Sequence, residues 1–282
     1  MTCTHGGGAR FSSFRYQEEY LVQLTGMVAL VTGANQGIGR GIALALAEAG
    51  ADVAVNDLVH TAASDEVAAE IEQRGRRALV IPGDVADCDV VDGMVASTIE
   101  QLGHLDIAVA NATYSQRDLF TEANPDAFRR TIDVTFWGSF HLLRAASLRM
   151  IEAGNGGSIV CIGSPHASFA IPRSMAYNSA KAAVEQMART AAIELVDHRI
   201  RVNVVCPGWI DTPGERKFAT EEQIAAAGAK LPWKRLGRPE EIGRGVVFLC
   251  NPQSDYVTGS TLRIDGGISL PWWASRGSGV PE

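Results

Sequence analysis

Cysteine is scarce in this sequence, and the five residues that occur stand far apart. They are Cys3, Cys88, Cys161, Cys206 and Cys250, an odd number with no Cys-x-x-Cys pair among them. This pattern argues against a disulfide framework and against a zinc site. It favours a reducing compartment, so we expect a cytoplasmic protein without a bound metal.

Long apolar runs and clusters of basic residues are also missing. No segment approaches the roughly 18 uninterrupted apolar residues of a membrane span, and the amino terminus lacks the apolar core of a secretory signal. The 25 Lys and Arg residues are outnumbered by 32 Asp and Glu residues, which gives a net charge of −7. We therefore expect neither a nucleic-acid partner nor a membrane partner.

Short apolar segments, in contrast, recur along most of the 282 residues, a length that suits one large α/β domain. Helical stretches separate them, and each is apolar throughout rather than alternating, which is typical of a parallel sheet covered on both faces. The sequence therefore predicts a doubly wound, seven-stranded parallel sheet with helices on both faces and ligands beyond the carboxyl ends of its strands. The predicted strands are VALVT, VAVN, ALVI, DIAVAN, SIVCIG, RVNVVC and TLRI.

The first predicted strand leads into a glycine-rich turn, TGANQGIG, which runs from Thr32 to Gly39. A helix follows, and the next strand ends at Asp57, which completes a βαβ unit. Glycines in such a turn let the backbone approach a pyrophosphate, which the helix N-terminus stabilises. The Asp57 carboxylate suits an adenosine ribose and repels a 2′-phosphate, and Asn35 and Gln36 offer that phosphate no cation. NAD is therefore expected rather than NADP.

A second motif begins where the strand SIVCIG ends, at Ser164. Tyr177 and Lys181 follow in a run of helix formers, and their spacing of four places both on one helix face. A neighbouring ammonium favours the phenolate and should lower the pKa of Tyr177, which makes it a proton carrier. This spacing alone is common, but other residues are expected at the same edge of the sheet. Those at or just after strand ends are Gly33, Asp84, Asn111, Ser164 and Pro207.

Three segments do not fit the alternating pattern. Residues 1–24 show no period and are interpreted as a flexible extension. Residues 212–237 are polar and rich in small side chains, and are interpreted as a mobile lid over the substrate; a surface helix pair without a gating role is the alternative. Trp272 and Trp273 contact either another subunit or their own domain.

The ordered set of motifs resembles the short-chain dehydrogenase/reductase family. It comprises TGANQGIG, Asp84-Val85, ANAT around Asn111, Ser164, the YNSAK of Tyr177 to Lys181, PGWIDT from Pro207, LGRPEEI from Leu236, and YVTGSTLRIDGG. The resemblance runs from about Leu24 to the C-terminus. It implies a Rossmann-type NAD-binding dehydrogenase domain over residues 25–282, acting on a CH–OH group of a small-molecule substrate, and a homotetramer or homodimer.

The resemblance also implies roles for single residues. Tyr177 matches the general acid/base, Lys181 matches the lysine that binds the nicotinamide ribose and lowers the pKa of the tyrosine, and Ser164 matches the serine that holds the substrate oxygen. Asp84 and Val85 would meet the adenine. Asn111 would meet the ribose region of the cofactor, and Ile210 with Thr212 its carboxamide end. The complete implied cofactor set is Gly33, Asn35, Gln36, Gly37, Ile38, Gly39, Asp57, Asp84, Val85, Asn111, Tyr177, Lys181, Pro207, Gly208, Ile210 and Thr212.

Two residues depart from the family pattern. Thr113 stands where the family usually has Gly, and Thr135 where it usually has an Asn that helps hold a water linking the lysine to solvent. We count Thr135 among the catalytic residues: it preserves the relay if a main-chain carbonyl holds that water, and slows proton exchange if the amide is needed. Its hydroxyl can also bond its own preceding turn. A dinucleotide-binding sensor or scaffold with impaired catalysis is therefore the rival hypothesis.

The substrate is less well defined by the sequence. His166, Pro172 and Pro271 look like their counterparts in bacterial glucose 1-dehydrogenases, which favours an aldose or polyol. His166 either hydrogen-bonds the substrate or caps a loop. The alternative substrate is a 3-oxoacyl thioester, against which Asp57 counts, because biosynthetic reductases of this family mostly take NADPH.

Overall fold

The structure is a computed structural model and describes residues 24–271. Within these residues, strands and helices alternate along the chain. The strands are β1 (Val28–Val31), β2 (Asp52–Asp57), β3 (Ala78–Pro82), β4 (Ile107–Ala110), β5 (Gly157–Ile162), β6 (Ile200–Pro207) and β7 (Thr261–Ile264). The α-helices are α1 (Gly37–Glu48), α2 (Ala62–Gln73), α3 (Cys88–Leu102), α4 (Pro125–Ile132), α5 (Gly138–Ala153), α6 (Met175–Glu194), α7 (Glu221–Gly228) and α8 (Pro239–Cys250).

All seven strands are parallel and form one sheet in the order β3-β2-β1-β4-β5-β6-β7. The predicted doubly wound α/β fold is confirmed. β1 and β4 are buried at every position, because a separate apolar core lies on each face of the sheet. The chain reverses its direction across the sheet between β1 and β4, which opens a crevice at the carboxyl ends of these strands.

The sequence predicts one continuous helix over residues 126–151, and the structure interrupts it. A π-helical turn, Asp133–Trp137, separates α4 from α5. Thr131 bonds its own preceding turn, with its hydroxyl donating to the carbonyl of Ala127 at 2.9 Å. Thr135 does not do so, because its hydroxyl donates instead to the carbonyl of Tyr114, outside the helix, at 3.1 Å.

The folded domain includes Leu24, which the sequence analysis places at the end of the flexible extension. Its side chain is fully buried, and its amide donates to the carbonyl of Ala49 at 2.7 Å. The rest of the predicted extension, residues 1–23, and the pair Trp272 and Trp273 lie outside the described residues. The predicted lid segment contains the 3₁₀ turn Pro213–Lys217 and helix α7.

Between residues 24 and 271 the structure contains neither a membrane-spanning helix nor a metal-binding cluster. None of the helices between residues 24 and 271 combines the length and the apolar character that crossing a membrane requires. The same residues contain no cluster of three His, Cys, Asp or Glu side chains that could hold a metal ion. Their cysteines are free thiols, namely Cys88, Cys161, Cys206 and Cys250.

Candidate active site

The glycine-rich turn has the conformation that its glycines permit. Gly33 and Gly37 have φ values of +63° and +55°, and a Cβ atom on Gly39 would lie 2.0 Å from the carbonyl oxygen of Gly33. Side chains at these positions would therefore strain the backbone or block the helix from approaching β1. The Oδ1 atom of Asn35 is buried here without a hydrogen-bond partner in the described part of the chain. A close backbone approach and the N-terminus of α1 together fit a dinucleotide pyrophosphate, whereas the Asn35 oxygen, an acceptor, would need a donor such as a ribose hydroxyl.

The two remaining side chains of this turn differ in exposure. Gln36 is exposed at the N-terminus of α1 and makes no side-chain capping bond. Ile38 is partly buried and packs on one of the two cores. Gln36 can therefore reach a ligand, whereas Ile38 chiefly anchors the helix.

Asn111 ties the end of β4 to the glycine-rich turn. Its Nδ2 atom donates to the carbonyl oxygens of Thr32 and Gly33 at 2.8 and 2.9 Å. The hydroxyl of Thr32 in turn accepts the amides of Asn111 and Ala112, each at 3.1 Å. The amide of Asn111, predicted to meet the ribose region, is thus used to hold the cofactor loop in shape. Sequence reasoning missed Thr32, whose partners lie on another strand.

Asp57 and Asp84 follow β2 and β3 at the same edge of the sheet. Asp57 accepts the amide of Leu58 at 2.7 Å, and Asp84 pairs with Arg130 of α4 at 2.8 Å. Burial raises the pKa of Asp84, but the hydrogen bonds from Arg130 and the Ala86 amide outweigh it, so the pKa lies below its usual value. Arg130 is a second residue that sequence reasoning missed.

Val85, predicted to meet the adenine beside Asp84, is buried and packs against Gly138, where a Cβ atom would approach it to 2.6 Å. The carbonyl of Val85 lies 3.1 Å from Nδ1 of His141. Helix α5 therefore holds Val85 in place through Gly138 and His141.

The loop after β6 reaches back to the glycine-rich turn. A Cβ atom on Gly37 would lie 3.3 Å from the side chain of Thr212. Pro207 ends β6, and a Cβ atom on Gly208 would lie 2.6 Å from the backbone of Asp265. Ile210 is 5% exposed and pairs with Gly237 through an isolated β-bridge. The loop after β6 therefore lies against the glycine-rich turn, and the roles of Ile210 and Thr212 at the carboxamide end stay a prediction.

Ser164, Tyr177 and Lys181 also come together. Ser164 follows β5, and its hydroxyl lies close enough to the side chain of Tyr177 on α6 to lower its pKa. The Nζ atom of Lys181 lies 5.5 Å from the ring centroid of Tyr177 and donates to the carbonyl of Ile162 at 2.7 Å. Lys181 is 2% exposed. Its ammonium is therefore shielded from solvent, between the ring of Tyr177 and the carboxyl end of β5.

The proton affinities at this centre differ from the sequence expectation. We expected Lys181 to lower the pKa of Tyr177. Instead, burial raises the pKa of Tyr177 to about 12, against hydrogen bonds from Ser164 and Thr113 that lower it. Burial also lowers the pKa of Lys181 to about 8. Desolvation is the largest influence on both groups, although Lys181 is fully buried and Tyr177 only half-buried. The ammonium lies over the ring face rather than beside the hydroxyl.

Replacing Lys181 with methionine is expected to raise the thermal midpoint. Below pH 8 the ammonium is charged in the folded and the unfolded protein, and its burial destabilises the folded state. The folded pKa is about 8 and the ordinary value is 10.5, so the unfolded chain binds more protons between these values. The stability of the wild-type protein therefore rises with pH in this window.

The gain of Lys181→Met should be largest below pH 8 and shrink towards pH 10.5, at about 2–4 °C for each kcal/mol. Differential scanning calorimetry measures it. Lys230→Met, at an exposed position, serves as the control and should change little. An equal gain at pH 7 and pH 10 would contradict the buried-ammonium interpretation.

His166 does not merely cap the loop after β5. Its ring packs edge-on against Tyr177, with ring centroids 5.1 Å apart, and its Nδ1 atom lies 2.6 Å from Oδ1 of Asn178. Burial lowers the pKa of His166, with Arg117 adding to the effect and Asn178 opposing it. A neutral imidazole held by an amide is thus part of the wall around Tyr177.

Sequence reasoning missed Arg117, a charged residue that acts on His166 and Tyr177. Arg117, in the loop after β4, lies with its guanidinium 3.9 Å above the ring of Phe218. It also approaches Glu215 at 4.0 Å, and Glu215 accepts the indole N–H of Trp209 at 2.8 Å. Both charges act on Tyr177 and His166. The position of Arg117 after a strand end was the one available signal.

Comparisons with known proteins agree with this geometry. A protein-family profile described as enoyl-(acyl carrier protein) reductase matches residues 33–269. L-rhamnose 1-dehydrogenase (NAD(P)(+)) of Sphingomonas sp. (strain SKA58) is 37% identical, over 87% of this chain and 97% of the relative. Glucose 1-dehydrogenase 2 of Bacillus subtilis is 32% identical, over 88% and 96%. A 3-oxoacyl-[acyl-carrier-protein] reductase of Synechocystis sp. is 34% identical, over 89% and 100%.

Solved structures give the same result. A short-chain type dehydrogenase/reductase from Mycobacterium marinum matches with a TM-score of 0.84 and 39% identity, over 89% of this chain and 98% of that one. Carveol dehydrogenase from Mycobacterium avium, in complex with NAD, matches with a TM-score of 0.83 and 30% identity, over 88% and 99%. Fold and site together define an oxidoreductase that uses a nicotinamide dinucleotide, NAD or NADP, on a CH–OH group. The chain belongs to the short-chain dehydrogenase/reductase family.

Proposed function

We propose that the protein interconverts a secondary hydroxyl of an aldose or polyol and the corresponding carbonyl. The observation that carries the reaction is the meeting of Ser164, Tyr177 and Lys181 at the carboxyl edge of the sheet, next to the glycine-rich turn. A bound nicotinamide supplies the acceptor or donor of the hydride. In oxidation, the phenolate form of Tyr177, present once its own proton has been lost, takes the substrate hydroxyl proton at Oη while the Ser164 hydroxyl holds the same substrate oxygen. Reduction reverses the proton transfer.

NAD is the proposed dinucleotide rather than NADP. The carboxylate of Asp57 at the end of β2, whose Oδ1 accepts the Leu58 amide, is suited to the hydroxyls of a ribose and repels a 2′-phosphate. Arg40 follows the turn by one residue, but its guanidinium is paired with Glu70 at 2.5 Å. The cation closest in sequence to the turn is therefore neutralised, and neither Asn35 nor Gln36 replaces it.

The polar wall around Tyr177 supports a polyhydroxylated substrate. The carboxylate of Glu215, the guanidinium of Arg117 and the neutral His166 lie around the proton-transferring hydroxyl, and vicinal sugar hydroxyls can both donate to and accept from such a set. Arg117 and Glu215 are 40% and 23% exposed, so their polar atoms are still accessible to a ligand.

A 3-oxoacyl thioester is the second candidate substrate. A groove of about 330 Å³ lies at the start of α6, and Phe120, Phe128 and Met175 line part of it. These side chains suit an acyl chain, although Asp118 and Arg173 interrupt the apolar surface. The relative from Synechocystis makes this class worth testing beside the sugars.

The lid and the assembly complete the proposal. We propose that residues 212–237 cover the substrate, because Phe218 of this segment stacks against Arg117 of the opposite loop. We also propose a homotetramer or homodimer, supported by the exposed apolar side chains of Trp137, Leu148 and Ile193. The unpaired cysteines support a cytoplasmic location.

A substrate panel tests the function directly. Absorbance of NADH is followed with aldoses, polyols, hydroxysteroids and β-hydroxyacyl thioesters, and each is repeated with NADP. Turnover of an aldose or polyol with NAD is the expected result. Preference for the thioester with NADP would favour the second candidate, and silence on every member would favour a dinucleotide-binding sensor or scaffold.

Replacing Glu215 with glutamine should weaken the binding of a sugar more than its chemistry. Hydrogen bonds to charged groups contribute about 1.5–3 kcal/mol; partial exposure reduces this, so KM for the best aldose should rise about 3- to 20-fold. The expected change in kcat is below about threefold. Steady-state kinetics with a simple secondary alcohol, which lacks neighbouring hydroxyls, should show no rise in KM. Glu222→Gln, at an exposed position on α7, is the control variant. Equal effects on both substrates would remove Glu215 from sugar recognition.

A further inference from the structure

The two departures from the family pattern meet in space. Thr113, after β4, and Thr135, in the π-helical turn, have their hydroxyl oxygens 3.0 Å apart, and either oxygen can be the donor. The Thr113 hydroxyl also lies close enough to the side chain of Tyr177 to lower its pKa. A branched side chain in place of Gly therefore does not simply crowd the cofactor loop. It brings a second hydroxyl, besides that of Ser164, to the phenol oxygen.

At its far end this chain of hydroxyls meets the backbone of Tyr114, whose N–H can donate a hydrogen bond and whose carbonyl can accept one. Thr135 Oγ1 lies 3.1 Å from the carbonyl oxygen of Tyr114, to which it can donate. The same atom lies 3.2 Å from the amide of Tyr114, from which it accepts. Thr135 is fully buried, so this hydroxyl makes its contacts with protein groups only.

We propose that Thr113 and Thr135 form a reversible hydroxyl pair that supports the Tyr177 hydroxyl in both of its protonation states. In this proposal the Thr113 hydroxyl bonds the reacting phenol oxygen, which would make Thr113 a catalytic residue, and Thr135 is a positioning residue that acts through Thr113. This inference rests on the proposed role of Tyr177 as the acid/base.

The donors and acceptors balance in both states. When Tyr177 is protonated, its O–H donates to Thr113, Thr113 donates to Thr135, and Thr135 donates to the Tyr114 carbonyl. When Tyr177 is a phenolate, the Tyr114 amide donates to Thr135, Thr135 donates to Thr113, and Thr113 donates to the phenolate. No covalent bond to hydrogen breaks along the pair. The two threonine hydroxyls rotate, and each buried oxygen keeps a partner.

The family usually has an Asn side chain at the position of Thr135, and in this proposal the hydroxyls of Thr113 and Thr135 take its place. A phenolate that accepts an additional hydrogen bond is stabilised relative to the phenol. The carbonyl of Thr135 is itself bonded, because the Ser139 hydroxyl donates to it at 2.8 Å. The side chain of Thr135, rather than its carbonyl, is thus the part of this residue that faces the reaction centre.

Other charged and titratable groups also act on the phenol. They are Lys181 on α6, Arg117 after β4, Glu215 in the lid segment and His166 after β5. A variant that leaves all four in place isolates the contribution of the hydroxyl pair. Thr113→Val does this, because valine keeps the shape of threonine and lacks only the hydroxyl.

The test measures kcat against pH in the oxidative direction. Thr113→Val should lower kcat at pH 7 about 3- to 10-fold, the effect of one lost hydrogen bond. It should also move the rise of kcat to higher pH by about 0.5 to 1 unit. Thr113→Ser should restore both values, and the dissociation constant for NADH should stay within about twofold for each variant.

Thr135→Val should act in the same direction, and Thr135→Ser should rescue it. The double variant Thr113→Val/Thr135→Val should be no slower than Thr113→Val alone, since Thr135 acts only through Thr113. Thr131→Val, one turn earlier on α4 and equally buried, removes a hydroxyl that bonds its own turn and should not move the pH profile.

Three outcomes would overturn the inference. They are an unshifted pH profile in Thr113→Val, full additivity in the double variant, and failure of serine to rescue either position. A loss of thermal stability without a pH shift would likewise assign the pair a purely structural role. If Tyr177→Phe removes turnover while Thr113→Val has no effect, the proposed function stands and only the hydroxyl pair is rejected.

Discussion

Replacing Tyr177 with phenylalanine is expected to lower kcat by about 10²–10⁴-fold, the usual contribution of a positioned acid/base. The phenol oxygen is the group whose pKa the neighbouring hydroxyls of Ser164 and Thr113 lower, and phenylalanine keeps the ring that packs on His166. Substrate positioning and the fold should therefore survive while proton transfer is lost. Steady-state and single-turnover kinetics measure the effect.

Fluorescence titration with NADH supplies the second readout for this variant. Its dissociation constant should change by less than about twofold, because Lys181 and the glycine-rich turn are intact. Tyr256→Phe, at a fully exposed tyrosine, is the control and should behave as the wild-type protein. Turnover that survives in Tyr177→Phe would remove this residue from its role and with it the proposed chemistry.

Replacing Asp57 with alanine should shift the preference from NAD towards NADP by about 10- to 150-fold. The variant loses hydrogen bonds from ribose hydroxyls to a charged acceptor, which contribute about 1.5–3 kcal/mol, and it loses the repulsion of a 2′-phosphate. Asp57→Arg should extend the shift, because a guanidinium pairs with a phosphate.

The ratio of kcat/KM for the two dinucleotides measures this change. Asp92→Ala, an exposed acid on α3, provides the control for the loss of one negative charge. An unchanged ratio in Asp57→Ala would count against the ribose assignment. A parallel loss with both dinucleotides would indicate that Asp57 supports the loop rather than the choice of cofactor.

The sheet could be predicted in detail because its information is local. The central strands are short runs such as VALV and IAVA that are buried on both faces, and such burial favours continuous apolar sequence wherever it occurs. The glycine-rich turn is predictable for a related reason, since Gly33 and Gly37 adopt backbone conformations that few other residues tolerate.

The parts that could not be predicted depend on contacts between distant segments. The π-helical turn arises because Thr135 bonds Tyr114, and nothing in the helical run itself indicates this bond. Arg117 and Phe218 meet only after the loops following β4 and β6 have folded over the same edge. The high pKa of Tyr177 follows from its burial, whereas the sequence shows only its spacing from Lys181.

The π-helical turn Asp133–Trp137 contains one more residue than a regular helical path needs. Its removal by a single-residue deletion would let α4 and α5 join as an uninterrupted helix, and the segment that carries Thr135 would rotate away from Tyr114. The irregular turn in the central helix therefore allows this chain to hold the hydroxyl group of Thr135 near its reaction centre.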